Sequence, residues 1–130
     1  MFSVDQLPDE PIVVDKHWDP VDVHNELQNF YIKLGEVISQ IEGPIFRIID
    51  LAQLGFTFSD MLVIISAEAK SKAHGSVGDP RVYAVVVARE EIAELLARAN
   101  NQEHYNNLEI PIFSEYNEAL AHVRQAIASN

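Results

Sequence analysis

The chain offers chemistry at few places. Its five histidines, His17, His24, His74, His104 and His122, are scattered along the sequence. The tightest grouping of ligand-type side chains, His17, Asp19, Asp22 and His24, straddles a helix start and lacks the close ligand pairs of a zinc site. No Gly-x-Ser-x-Gly elbow presents a serine nucleophile. Gly75-Ser76-Val77-Gly78 lacks the Lys-Ser/Thr ending of a phosphate loop and leads into a strand instead of a helix. Glu90, Glu91 and Glu94 read as the solvated face and acidic first turn of a helix. These residues predict no catalytic group, no metal ion and no cofactor. What remains are polar side chains where strands end: Asp15, Asp50, Arg89 and Ser114, with Thr57 and Ser59 in the stretch after Asp50. Such groups suit hydrogen bonding to a partner. They suit local structure equally, Ser59 and Ser114 as helix N-caps and Asp50 as a turn acceptor.

Composition narrows the classes further. A chain of 130 residues that is 48% hydrophobic suits one domain whose core buries roughly two-thirds of the unfolded surface. The absence of cysteine excludes a disulfide framework, a thiol nucleophile and thiolate metal sites. A net charge of -11 repels phosphate backbones and anionic headgroups, and Lys70, Lys72, His74 and Arg81 are too few to reverse that locally. No nucleic-acid partner is expected. The longest apolar run, Val82 to Ala88, falls well short of the ~18 residues that cross a bilayer, so no membrane insertion is expected either. Met1-Phe2-Ser3-Val4-Asp5 lacks the basic and apolar regions of a signal peptide, which makes the cytoplasm the expected location.

The elements that must position the polar groups follow from periodicity. Phe2 and Val4, then Ile12-Val13-Val14, flank the turn signal Leu7-Pro8-Asp9-Glu10-Pro11 and predict an N-terminal hairpin with its first arm at an edge. Asp19 as N-cap, with Pro20 at the first helical position, opens a helix whose apolar face runs through Leu27, Phe30, Tyr31, Leu34, Val37, Ile38 and Ile41 to the stop at Gly43-Pro44. A strand covers Ile45 to Asp50, with Arg47 either snorkelling at a margin or paired with a carboxylate. A helix from Ser59 or Asp60 to about Ala73 follows. Arg81 to Ala88 is apolar on both faces and belongs mid-sheet. Glu90 opens another helix, Ile110 to Phe113 is a short edge strand, and Ser114 caps a last helix.

The order is α/β: a single domain with a four- to five-stranded, mostly parallel sheet, an N-terminal hairpin and four helices. Partners meet the carboxyl ends of such strands. The candidate interaction rim is therefore Asp15, Asp50, Gly55, Phe56, Asp60, Arg89 and Ser114. Right-handed crossovers between strands in sequence order gather the helices on one face and leave the other to be covered by the hairpin, a second subunit or an apolar ligand. A homodimer is the favoured expectation.

Ile48-Ile49-Asp50-Leu51 followed by Gly55-Phe56-Thr57-Phe58-Ser59-Asp60, the segment Phe113-Ser114-Glu115-Tyr116-Asn117-Glu118-Ala119-Leu120 and the order of elements together resemble the STAS domain family, the SpoIIAA-like anti-sigma-factor antagonists and sulfate-transporter cytoplasmic domains. The resemblance spans nearly the whole chain. It implies a βα superhelix without catalysis of its own, a regulatory role, and a protein partner such as a kinase or anti-sigma-like regulator. It also implies phosphorylation of a serine at the start of the helix after the Asp-containing strand, a position that falls on Ser59, with Thr57 as the alternative. The family's switch motif runs Asp-Ser followed by Gly, whereas Asp60 and Met61 follow Ser59 here. A carrier of a small apolar or lipid-like ligand is the alternative function for the same architecture.

Overall fold

A hairpin begins the fold because Leu7–Pro11 cannot continue a strand: two prolines remove donors and Asp9 adopts a left-handed φ of 62°. The computed structural model describes residues 1–20, 22–55, 64, 75–77, 79–100 and 110–129. Within them lie β1 (Phe2–Gln6), β2 (Ile12–Trp18), α1 (Val23–Ile38), β3 (Ile45–Gln53), β4 (Val82–Val87), α2 (Glu90–Asn100), β5 (Ile112–Phe113) and α3 (Tyr116–Ala128). The strands form one mixed sheet in chain order, β1-β2-β3-β4-β5. β1 is antiparallel to β2, and β2 to β5 run parallel. The protein is thus α/β with a five-stranded mixed sheet and three helices among the described residues. The expected helix from Ser59 or Asp60 to Ala73 lies outside the described residues.

The pleat divides the strand residues between two faces. On one face Val4, Val13 and Ile45 pack under Phe30, Leu34 and Ile38 of α1, and farther along Ile49, Leu51, Ala84 and Val86 pack under Ile92 of α2. On the other, Ile12, Val14, Phe46, Ile48, Val85 and Val87 meet Ala119 and Val123 of α3. The expectation of an uncovered second face is corrected by this arrangement. The described crossover helices, α1 and α2, do share one face, but α3 is not a crossover; it follows the edge strand and folds back over the opposite side. Val123 is fully buried there, a contribution of roughly 1.5–3 kcal/mol.

Helix boundaries differ from the periodic reading in instructive ways. α1 is capped by Asp22, whose Oδ1 accepts from the Asn25 N–H at 3.3 Å, and not by Asp19. It ends at Ile38, before Gly43, so Ile41 is buried from the turn beyond the helix. Arg81 donates to the carbonyls of Ile41 (2.8 Å) and Gly43 (3.1 Å), satisfying backbone acceptors of the turn between α1 and β3. Glu115, not Ser114, occupies the N-cap position of α3, and it makes no side-chain capping bond. No helix among the described residues is long and apolar enough to cross a membrane.

Candidate functional site

The parallel strands end side by side, and their ends are tied together by side chains. After β2, the Asp19 carboxylate accepts the Gly55 N–H at 3.1 Å, linking the chain after β2 to the chain after β3. After β4, the Arg89 guanidinium donates to the Leu54 carbonyl. Its Nε stands 3.7 Å from the Glu91 carboxylate, with about half of the Arg89 side chain exposed. After β5, the Ser114 hydroxyl donates to Glu118 at 3.4 Å. Asp50 sits one level back from the rim, in register with Lys16 of β2 and Val87 of β4, and its Oδ1 accepts the Ala52 N–H at 3.0 Å. Gly55, Arg89 and Ser114 are exposed at this end and Asp50 is half-buried. Phe56, Thr57, Ser59 and Asp60 lie outside the described residues.

On the α3 face behind Asp50 lies a polar cluster. Lys16 Nζ is 5.9 Å from the Tyr116 ring centre. Arg124 of α3 donates to both carboxylate oxygens of Glu10, at 3.0 and 3.1 Å. Partial burial pushes the Tyr116 phenol above its ordinary value; the charge of Arg124 opposes this, and the carboxylates of Asp50 and Glu10 add to it.

Asp15 does not belong to the rim. Strand β2 runs on to Trp18, which puts Asp15 in its interior with no exposed surface. There its Oδ1 accepts from Arg47 Nε at 2.7 Å and its Oδ2 from Arg47 Nη2 at 3.1 Å, while His17 Nε2 approaches Oδ2 at 2.6 Å. Arg47 is buried too. Its Nη1 donates to the Gly75 carbonyl at 3.0 Å, and its guanidinium lies 5.3 Å from the centre of the Phe30 ring. Burial alone would raise the Asp15 carboxyl; the Arg47 charge, together with hydrogen bonds from His17 and Arg47, outweighs it and holds the group below its ordinary 3.8. A charge in this position costs desolvation that only near-ideal pairing offsets. The strand therefore continues through Asp15 because a partner waits on the neighbouring strand.

The loop before β4 closes this cluster. Gly75 has φ 89° and presses so tightly on α1 that an added Cβ would come within 2.2 Å of Ile38 Cδ1 and 2.8 Å of Leu34 Cγ. Its N–H is held by Asp79 Oδ2 at 2.9 Å, whose other oxygen accepts the Arg81 N–H at 2.9 Å. Gly75 to Val77, the described part of the glycine-rich stretch, thus form a turn with a structural role. Among the described residues no three His, Asp or Glu side chains gather as a metal-binding group. His122 instead meets Tyr83, Nε2 to OH at 2.7 Å, beside Phe113.

Of the two expectations for Arg47, the structure bears out pairing with a carboxylate; what the sequence reading missed is that the carboxylate is Asp15, inside β2, with His17 beside it. An arginine inside an apolar parallel strand and an aspartate directly after Ile12-Val13-Val14 are opposite charges on strands adjacent in chain order, and that pairing was the available signal. No family model, no curated protein and no solved structure matches the chain. What the site can do chemically is present backbone and side-chain hydrogen-bonding groups from a braced strand-end surface.

Proposed function

We propose that this protein is a non-enzymatic regulatory module of the STAS type that binds a protein partner through the carboxyl-end rim of its sheet. Asp50, Gly55, Arg89 and Ser114 form the described part of that contact, and Ser59 or Thr57, shortly after Gly55 in the chain, carries a phosphate in one of its states. The observation supporting this reading is the sequential order β1-β2-β3-β4-β5 with β2 to β5 parallel. That order is what a βα superhelix requires, and Arg89 is held at the same end of the sheet by its bond to the carbonyl of Leu54, five positions before Ser59 in the chain. A kinase or an anti-sigma-like regulator is the kind of partner such a rim serves, because a phosphate there adds charge and acceptor oxygens to a surface otherwise held together by hydrogen bonds.

Photo-crosslinking in cells tests the proposal. A photoreactive residue is placed at Gly55 or Arg89 on the rim, and at Glu42, which is exposed in the turn leading into β3 at the opposite end of the sheet. A discrete protein adduct from the rim positions and none from Glu42 is expected, with the adduct changing in yield in Ser59→Asp or Ser59→Ala chains. Adducts from Glu42 alone, or none from any position, would overturn the reading.

A further inference from the structure

The two edges of the sheet are unequal. β5 is two residues long, whereas β1 runs five residues in unbroken antiparallel register with β2, from Phe2 opposite His17 to Gln6 opposite Val13. The Leu7 N–H bonds the Ile12 carbonyl and the Trp18 N–H bonds the Met1 carbonyl, each at 2.9 Å. These bonds fix the odd-numbered positions of this strand as the ones that face β2. The backbone groups of Phe2, Val4 and Gln6 consequently point out of the sheet, and among the described residues none of them is hydrogen-bonded to another strand. Edge strands are commonly blunted by lysine, proline or a bulge. β1 has none of these, and its one charged residue is Asp5.

We infer that β1 is a strand-addition site for a second copy of this chain, the two β1 strands pairing antiparallel about a two-fold axis at Val4. The axis follows from the residues. Centred on Val4, the pairing sets Val4 against Val4 and Phe2 against Gln6, engages all three outward positions, and forms about six backbone hydrogen bonds. It also places each Asp5 opposite a Ser3 hydroxyl. Centred one residue later, it would oppose the two Asp5 carboxylates and engage fewer outward groups, an arrangement disfavoured by like charge. The strand is thus complementary to itself in one register. The contact leaves both sheet faces to α1, α2 and α3, and the carboxyl-end rim stays free in each copy. A dimer through the edge replaces the dimer through an open face that the sequence led us to expect.

The net charge of -11 on each copy gives the association a recognisable sign. Two acidic copies repel at long range, so salt strengthens this dimer by screening, whereas it would weaken a complex with a basic segment. Sedimentation velocity of the full chain, over a concentration series at low and high salt, is the experiment. Hydrogen exchange of individual amides is measured on the same samples. The expected result is a monomer–dimer equilibrium that shifts to dimer with salt, with the Phe2, Val4 and Gln6 amides slowing as concentration rises and the Ser3 and Asp5 amides, already bonded to β2, changing little. Gln6→Pro removes an outward N–H while leaving the β2-facing bonds, and weakens the dimer by about tenfold or more. Ser3→Asp, which opposes carboxylates only in this register, does the same by a different route and keeps the test intact if the proline variant misfolds. A chain that stays monomeric at all concentrations, or a dimer indifferent to both substitutions, would overturn the inference.

Discussion

Replacing Asp15 by alanine should be among the most damaging single changes available in this protein. The substitution leaves Arg47, 1% exposed, with Nε and Nη2 stripped of the acceptors they reach at 2.7 and 3.1 Å. An uncompensated buried charge of this kind costs about 3–5 kcal/mol, roughly a fifth or more of the about 5–15 kcal/mol that holds a typical domain folded. Arg47→Met alone should cost a similar amount, because the Asp15 carboxylate then keeps only His17. The double replacement Asp15→Val with Arg47→Met is the informative variant. Removing both charges removes the desolvation penalty, which by itself is neutral or stabilising by about 1–4 kcal/mol. Against this, the Gly75 carbonyl loses its donor, at a cost of about 1–3 kcal/mol. The double variant should therefore lie within about 2 kcal/mol of the parent, far above either single variant. Urea unfolding followed by circular dichroism and by the fluorescence of Trp18, the single tryptophan, measures all four corners of the cycle. Two single variants each within 1 kcal/mol of the parent, or a double variant as unstable as their sum, would refute the reasoning.

Further predictions rest on separate features. Because Asp15 titrates below 3.8 when folded, its pairing contributes stability that is complete above about pH 4 and is lost as pH falls through the folded value; acid unfolding of Asp15→Asn should be correspondingly shallower. Gly75→Ala combines a strained φ with a Cβ forced onto Ile38 and Leu34 and should cost about 2–4 kcal/mol in thermal or urea unfolding. Asp22→Ala removes the N-cap bond of α1 and should cost about 1 kcal/mol. Spectrophotometric titration should show Tyr116 ionising above the ordinary value of 10, chiefly because of its partial burial, and Asp50→Asn should remove only the smaller, charge-driven part of that shift.

Much of the architecture was legible because it rests on local patterns. The apolar face of α1, the prolines of the first turn and the doubly apolar run at β4 each specify their element without reference to distant residues. Boundaries were less legible where two residues compete for one role. Asp19 and Asp22 are both suitable caps, and Asp19 goes instead to the Gly55 N–H, thirty-six positions away, a choice that only the assembled sheet makes. Asp15 was read as a strand end because a carboxylate ordinarily leaves the core; Arg47, thirty-two positions on, reverses that. Arg89 and Ser114 lie just past the ends of β4 and β5, where the apolar runs stop, whereas β3 runs three residues beyond Asp50 to Gln53.

The helix that closes the second face of the sheet is made after every strand it covers. Ile12, Val14, Phe46, Ile48 and Val85 are all synthesised well before Ala119 and Val123 arrive to cover them. At roughly 5–20 residues per second, a nascent chain carries this apolar surface bare for several seconds while the helix that will cover it is still being added or is inside the ribosome. Folding of the sheet from its N-terminal side cannot finish on the ribosome until α3 has emerged. A stall placed just before Tyr116 should therefore hold a species that recruits chaperones, although every strand of the sheet has already been translated.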